Sequence, residues 1–132
     1  MEIKFRVWDK TNKYMKTTNQ AVSTIIKNFI LNNLDKKNYV IMQYTSLKDK
    51  NGKEIYEGDI IKGEILVVKW NEVMHKDYID NIAIPPTLVK WEKFGFMPFI
   101  SWISRYLDVL ELDIEVIGNI YENPELLNKE VM

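Results

Sequence analysis

The chain has 132 residues, of which 46% are hydrophobic and 28% charged, with a net charge of −1 and no cysteine. This composition predicts a globular domain large enough to bury a core, and it excludes a disulfide framework, a thiolate metal site and a cysteine nucleophile. No apolar run reaches the ~18 residues of a membrane span, and the start lacks the basic and long apolar segments of a signal peptide. We therefore expect a soluble, cytoplasmic protein without a membrane partner.

Charge is distributed unevenly along the chain. Residues 1–62 carry 12 Lys and Arg against 7 Asp and Glu, whereas residues 63–132 carry 6 against 12. If the two halves lie on opposite faces, head-to-tail self-association or a charged partner is favoured, and if they intermix the asymmetry has no such meaning. Only Arg6 and Arg105 are arginines, which counts against sequence-specific recognition of nucleic acid.

The first segment predicts a β-hairpin. Residues 2–8 alternate between apolar and polar side chains, which is the period of a half-buried strand. The polar stretch 9–13 predicts a turn, and residues 14–16 predict the returning strand.

The next segment predicts an amphipathic helix. Thr17, Thr18 and Asn19 are good N-cap residues, and after them apolar side chains recur at steps of three and four. The apolar stripe consists of Val22, Ile25, Ile26, Phe29, Ile30 and Leu34. We expect this helix to cover the core, and the alternative interpretation is a helix that binds a partner.

The central segment predicts strands separated by tight turns. Residues 39–44 are apolar on both sides and predict a central strand, and the Asn-Gly pair within 49–52 favours a tight reversal. A strand is predicted to start at Ile60 and to end at Gly63. Residues 65–70 are rich in aliphatic side chains and predict a further strand.

Two pairs of polar residues are candidates for catalysis. Glu57 and Asp59 flank Gly58 and resemble an acid/base pair, but Asp59 is better interpreted as a residue that accepts backbone hydrogen bonds and fixes the turn. His75 with Asp77 resembles a general base, but no nucleophile partner is evident, so a surface histidine is the preferred interpretation.

The segment after the central strands is less regular. Residues 71–80 predict a polar loop, Pro85 and Pro86 predict an extended break, and residues 88–91 predict a short strand. The aromatic-rich residues 94–103 predict either core or a surface for self-association or partner binding.

The C-terminal segment predicts a strand followed by a short helix. Residues 105–112 fit either a helix or a loop, whereas 113–121 alternate as a strand in which Gly118 indicates a bulge or a close backbone approach. Asn123 and Pro124 then predict a helix start, with Asn as the cap and Pro in the first helical position.

Three stretches resemble a known family. They are KFRVWD at 4–9, followed by Met15; QYTSLKDKNGKEIYEGDII at 43–61; and EVIGNIYENPELL at 115–127. Together and in this order they resemble the YopX family, small proteins encoded by phages and prophages.

The resemblance implies a fold and leaves the activity open. It implies a mostly β protein with minor α, in which an antiparallel SH3-like small barrel at 39–132 ends in a short helix. Residues 1–38 then form an N-terminal extension of hairpin and amphipathic helix, in one compact unit with the barrel. The resemblance also implies assembly into oligomers, and it implies no activity, because the family is functionally uncharacterised.

Motifs for enzyme chemistry are absent from the sequence. There is no P-loop and no GxGxxG, and His75 has no second histidine with which to hold a transition metal. Asp113 and Glu115 are predicted to share one strand face, which fits a solvated face better than a divalent-ion site. We expect a non-enzymatic protein with no metal and no other cofactor.

The predicted function is a protein–protein interaction module that associates with itself and binds a host bacterial protein. Large aromatic rings supply most of the energy of such interfaces, and the predicted contacts are Trp91, Phe94, Phe96 and Trp102. The alternative is a single-stranded nucleic-acid-binding protein, in which aromatic rings stack on bases among basic side chains. Its predicted residues are Lys48, Lys50, Lys53, Lys62, Tyr44 and Tyr56, and the sequence pI near 5.9 counts against it.

Overall fold

The computed structural model describes residues 3–17, 19–20, 23–24, 27, 38–93 and 95–128. Strands dominate this part of the chain, which confirms the prediction of a mostly β protein with minor α. The strands are β1 Phe5–Asp9, β2 Tyr14–Thr17, β3 Tyr39–Lys48, β4 Glu54–Tyr56, β5 Asp59–Asn71, β6 Lys76–Leu88, β7 Lys90–Glu92, β8 Gly95–Met97 and β9 Asp108–Asn119.

The strands form curled antiparallel sheets. One sheet has the order β2-β1-β3-β4, a second has the order β6-β5-β9, and β7 pairs with β8. The turn at Gly58 joins the first two sheets, because its N–H donates to the Val89 carbonyl at 2.8 Å and its carbonyl accepts from the Ile120 N–H at 2.9 Å. The two sheets are therefore joined at the turn between β4 and β5.

In the part of the chain after residue 38, two short helices flank the sheets. Helix α1 spans Phe99–Arg105, and a 3₁₀ helix spans Pro124–Leu127 with Pro at its first position, as the sequence predicts. Asn123 does not cap this helix through its side chain, because its Oδ1 accepts from the Asn119 N–H at 3.2 Å. Within the described ranges, each helix is too short or too polar to cross a membrane.

The predicted N-terminal hairpin is confirmed, and the predicted helix is described in part. β1 pairs with β2 from Arg6↔Thr17 to Asp9↔Tyr14. Residues 19, 20, 23, 24 and 27 are helical, whereas the apolar stripe of the predicted helix lies outside the described residues. The division into 1–38 and 39–132 stays a prediction, and the pairing of β1 with β3 crosses its boundary.

The core lies on one face of the β6-β5-β9 sheet. Alternate residues of β5, namely Ile61, Ile65 and Val67, are fully buried there together with Ile114 of β9. Phe96 of β8 and the rings of α1 cover them. A helix seven residues long gains little stability alone, so this burial is what holds α1 in place.

β5 is one continuous strand, which corrects the prediction that Gly63 ends a strand. Gly63 lies inside β5 with a φ of +147°, and a Cβ at this position would overlap the carbonyl oxygen of Asp113. The glycine therefore allows β9 to approach β5 closely, and the ladder continues past it. The bulge predicted near Gly118 is confirmed by a register shift between Ile60 and Ile61 of β5.

The predicted break at the two prolines is also wrong. β6 runs through Pro85 and Pro86 to Leu88. Proline is tolerated here because β6 lies at the edge of its sheet and the register shifts at this point, from Gly63↔Ile84 to Ile61↔Thr87. The prolines occupy the resulting bulge.

The predicted polar loop at 71–80 is shorter than expected. β6 already begins at Lys76, so the tip of the β5–β6 hairpin is residues 72–75. The Oδ1 of Asn71 accepts from the N–H groups of Val73 and Met74, both at 2.9 Å, and these bonds form the reversal. His75 is exposed at this tip with a φ of +51°.

Candidate functional site

The residues predicted for protein contacts separate into buried and exposed members. Phe96 and Trp102 are buried in the core, whereas Trp91 on β7 is 52% exposed and Phe94 lies outside the described residues. The Trp91 ring meets the Phe96 ring edge-on, with centroids 4.7 Å apart. The interpretation of this segment as core is confirmed for Phe96 and Trp102, and contact through Trp91 stays a prediction.

The residues predicted for nucleic-acid binding also fall into an exposed group and a buried group. Lys48, Lys50, Lys53 and Lys62 are exposed, but Tyr44 and Tyr56 are buried with their ring centroids 5.4 Å apart. The Lys4 Nζ lies 5.5 Å from the Tyr44 centroid, and the Arg6 guanidinium lies 4.7 Å from the Tyr56 centroid. Because these cations and the core cover the rings, the two tyrosines offer no stacking surface, and nucleic-acid binding stays a prediction.

Asp59 forms a buried ion pair with Arg6. The Arg6 Nη2 donates to the Asp59 Oδ1 at 2.7 Å, and the Tyr56 N–H donates to the Asp59 Oδ2 at 2.7 Å. Burial raises the pKa of the Asp59 carboxyl, and the opposing effects of Arg6 and Tyr56 do not cancel this. The interpretation of Asp59 as a residue that fixes the turn is confirmed, whereas its partner Arg6 was not predicted.

Two of the stretches that carry the family resemblance meet in a small cavity of about 250 Å³. Gly58 comes from the central stretch and Tyr121 from the terminal one, and Trp91 and Met42 are also part of the wall. Tyr121 stacks on Trp8 with ring centroids 5.8 Å apart, and burial raises the pKa of its hydroxyl. These contacts give the resembling stretches a common packing role.

A larger apolar groove of about 510 Å³ lies between α1 and the start of β9. Phe99 and Trp102 form its floor. Three aliphatic side chains of its wall remain in solvent: Ile103 is 68% exposed, Leu107 is 61% exposed and Leu110 is 47% exposed. The groove is thus apolar at its floor and at its exposed rim.

A second cleft continues this surface toward the β5–β6 hairpin. Trp70 and Leu107 line it together with Arg105 and Tyr106. Trp70 is 49% exposed, and the cleft shares Tyr106 and Leu107 with the groove, so the two lie next to each other. We call the surface formed by Trp70, Ile103, Leu107 and Leu110 the apolar end.

The solvent face of the β6-β5-β9 sheet is acidic along β9. Cross-strand partners share a face, and β5 pairs Glu64↔Asp113, Leu66↔Glu111 and Val68↔Asp108. On the other side of β5, Val68 pairs with Ile79 and Trp70 with Asp77. We call this face the acidic sheet face; its middle is apolar and its β9 side carries carboxylates. The prediction that Asp113 and Glu115 share a face is confirmed, since Lys62↔Glu115 is the next pair.

Metal ligands are not clustered in the described part of the chain. No group of three or more His, Cys, Asp or Glu side chains is placed there to hold an ion. The expectation of a protein without a cofactor stays a prediction.

The sequence predicts the apolar end only in part, because Ile103 falls in the aromatic-rich segment 94–103, whereas Leu107 and Leu110 fall in a stretch that fits helix and loop equally. The run Leu107, Val109 and Leu110 contains more aliphatic side chains than a solvent-exposed strand needs. That excess is the signal available before the fold is known.

Comparison with known proteins agrees with this fold. The chain is similar to the crystal structure of protein EF1440 from Enterococcus faecalis, with 26% sequence identity and a TM-score of 0.54 over 96% of this chain and 99% of that one. Among curated protein sequences, none matches.

Fold and surface together define a β-rich protein of curled antiparallel sheets with an exposed apolar end. The sequence profile described as YopX protein matches residues 4–128, nearly the whole chain. The chain therefore belongs to the YopX family, which confirms the resemblance noted in the sequence.

Proposed function

We propose that this chain is a non-catalytic phage or prophage protein that acts through protein contacts in the bacterial cytoplasm. Its first partner is a second copy of itself, and a host bacterial protein is a further partner, whose activity it redirects or inhibits. The observation that carries the proposal is the apolar end, where four large exposed side chains line two adjacent clefts.

The energetics of exposed apolar surface support this role. Single exposed aliphatic residues are common on monomers, but contiguous patches usually mark an interface. Each side chain of this size releases about 1.5–3 kcal/mol when it is fully buried. Trp70 adds a rigid indole, a residue type that often dominates interface energy.

We further propose that residues 39–132 form an SH3-like small barrel. The joining of Gly58 to Val89 on one side and to Ile120 on the other supports this interpretation, because it brings separate sheets into one curl. Such a barrel is a scaffold that presents loops and sheet faces to partners, and it carries no chemistry of its own.

Self-association is tested by size-exclusion chromatography with light scattering. We expect a mass above that of one chain for the wild type and a lower mass for the double variant Ile103→Ser/Leu107→Ser. Both side chains are exposed, so the variant should stay folded, with unchanged circular dichroism. Ile3→Ser/Val73→Ser removes two exposed side chains outside the apolar end and serves as the matched control. A wild type that remains monomeric at high concentration contradicts self-association.

The host partner is tested by pull-down from a bacterial lysate. We expect a stoichiometric protein to be retained by the wild type and lost with Ile103→Ser/Leu107→Ser. Equal retention by both proteins would place the contact elsewhere than the apolar end.

The exposed lysines support nucleic-acid binding as a second candidate function. Lys48, Lys50 and Lys53 lie on or beside the β3–β4 turn, where they could contact phosphates. Affinity for a single-stranded oligonucleotide should then fall steeply with added salt and with Lys48→Glu/Lys50→Glu. The absence of binding at low salt removes this candidate.

A further inference from the structure

We propose that copies of this protein associate head to tail, with the basic tip of the N-terminal hairpin of one copy docked on the acidic sheet face of the next. The inference rests on the proposed self-association and adds to the apolar end a second contact between copies. Its occupant is a second copy of the same chain, and charge complementarity between two different surfaces carries it.

The acidic sheet face holds carboxylates that repel one another. Glu64 and Asp113 lie directly opposite across β5 and β9, an arrangement of like charges that destabilises a sheet. Glu111 is the next acidic residue on this face, and it lines the same small cleft as the other two. Lys62 lies on the same face opposite Glu115, and the Asn81 Nδ2 donates to the Glu64 Oε2 at 3.2 Å. Within the described residues, however, no ion pair joins these three carboxylates to a cation. Cations from outside the chain would relieve this repulsion.

The middle of the same face is apolar, although the residues around it are charged and exposed to solvent. Ile79 is 63% exposed and pairs with Val68, and Trp70 lies beside them on the same strand face. A docking group for this face therefore needs positive charge together with an apolar or aromatic side chain.

The hairpin tip offers this combination. Lys10 and Lys13 are exposed. Tyr14, which lies between Lys13 and Lys16 in the sequence, is exposed as well. The one acidic residue of this tip, Asp9, is buried and accepts hydrogen bonds from the N–H groups of Thr11 and Asn12, each at 3.0 Å. The exposed charge of the tip is therefore positive, and the Tyr14 ring lies among its cations.

Two different surfaces on one chain can meet head to tail, or reciprocally in a two-fold pair in which each tip docks on the other copy's sheet face. Two acidic sheet faces placed against each other would repel, and so would two basic tips, which disfavours a two-fold symmetric pair through either surface. A head-to-tail contact leaves one free surface of each kind on every dimer, so assembly continues until a ring closes or a filament forms.

Charge reversal on each surface tests this geometry. Lys10→Glu/Lys13→Glu reverses the tip, and Glu64→Lys/Asp113→Lys reverses the sheet face. Each variant alone should self-associate at least roughly tenfold more weakly than the wild type, because like charges then meet at every contact. In an equimolar mixture, each reversed surface finds its complement on the other variant, and we expect the wild-type mass to return.

Matched controls change the same charge elsewhere. Lys48→Glu/Lys50→Glu and Glu92→Lys/Glu125→Lys alter exposed residues outside both surfaces, and they should keep the wild-type mass in light scattering. Circular dichroism and thermal unfolding confirm that all variants fold.

The outcomes separate this inference from the proposed function. Charge-reversed variants that keep the wild-type mass, or a mixture that stays as small as its components, overturn the head-to-tail geometry while self-association stands. A monomeric wild type overturns both. Restoration in the mixture supports the inference when an equimolar mixture of the two control variants, which carry the same opposite net charges, gains no mass. A restored mass no greater than that of a dimer overturns the head-to-tail geometry in favour of a reciprocal two-fold pair.

Discussion

At the scale of single residues, Asp49 connects a local turn to a distant strand. Its Oδ1 accepts from the N–H groups of Asn51 and Lys53, both at 2.9 Å, and its Oδ2 accepts from the N–H of Val116 at 3.0 Å. The turn predicted from the Asn-Gly pair is therefore also an attachment point for β9. The sequence predicts the turn but not the attachment, because Val116 lies 67 residues away.

Replacing Asp49 by Ala should cost roughly 2–4 kcal/mol of unfolding free energy, because three N–H groups lose a charged acceptor. Asp49→Asn keeps the shape and one carbonyl acceptor, so we expect it to cost less than Ala. Urea unfolding followed by fluorescence measures both. Equal stability of Asp49→Ala and the wild type would show that solvent satisfies these groups.

The buried pair of Arg6 and Asp59 is the second residue-scale feature. Removing one partner leaves the other charge buried and unpaired, so Arg6→Met and Asp59→Asn should each cost roughly 3–5 kcal/mol. The double variant should be more stable than the sum of the two losses predicts, because neither charge then remains. A double-mutant cycle in urea measures the coupling, and additive losses would contradict it.

The sequence does not show which acidic residue pairs with Arg6. The two residues are 53 positions apart, and local patterns assign neighbours only within a turn or a helix. The role of Asp59 was predictable because its turn is local, whereas the role of Arg6 depends on how β1 and β3 meet.

At the scale of elements, α1 has a buried side and an exposed side. Phe99 and Trp102 are one turn apart and their ring centroids are 5.4 Å apart, whereas Ile103 faces solvent. Aromatic density predicts burial for this segment, but it does not tell which neighbouring aliphatic residue stays outside. That depends on how the seven-residue helix is rotated against the sheet.

Phe96→Ser/Phe99→Ser should therefore unfold or aggregate the protein, because each Phe truncated to Ala in a core costs roughly 3–5 kcal/mol and Ser adds a buried hydroxyl. Ile103→Ser on the same helix is the control and should leave the thermal midpoint nearly unchanged. A cooperative, soluble Phe96→Ser/Phe99→Ser variant would contradict the assignment of these rings to the core.

Strand periodicity predicts most of the elements, whereas glycine and proline lead to wrong predictions of where two strands end. Gly63, Pro85 and Pro86 usually interrupt a strand, but here they allow two long strands to twist and shift register within the sheet. Whether such residues end a strand or form a bulge depends on the partner strand, which a single sequence does not show.

At the scale of the whole molecule, stability should depend on acid titration. A hydrogen bond from Lys4 lowers the pKa of Glu54 below its usual 4.5. Burial acts to raise the pKa of Asp49, but hydrogen bonds from Val116, Lys53 and Asn51 outweigh it and hold that pKa below 3.8. Lowered folded-state pKa values contribute stability that is present above the unfolded values and is lost as the pH falls through the folded ones.

We therefore expect a flat thermal midpoint near neutral pH and a decline once the pH falls below about 4.5. In Asp49→Asn the decline should be shallower, since one of the carboxylates with a lowered pKa no longer titrates. Thermal scans across acidic pH measure this, and identical profiles for the two proteins would rule out a contribution from Asp49.

Of the candidate site, the overall distribution of charge is the part that could be predicted from composition. The sequence predicts a basic first half and an acidic second half, and the acidic sheet face on β5 and β9 belongs to the second half. The apolar end could be predicted only in part, because it joins Trp70 to Leu107 through tertiary packing.

The prolines of β6 have a consequence for the behaviour of the protein at high concentration. An edge strand thirteen residues long would otherwise offer a row of unpaired amides as a template for strands of other chains. Pro85 and Pro86 carry no amide hydrogen, and the register of the strand shifts at their position, so a strand of another chain cannot pair along the full length of β6. We therefore expect the prolines to limit strand addition at this edge when the protein is concentrated.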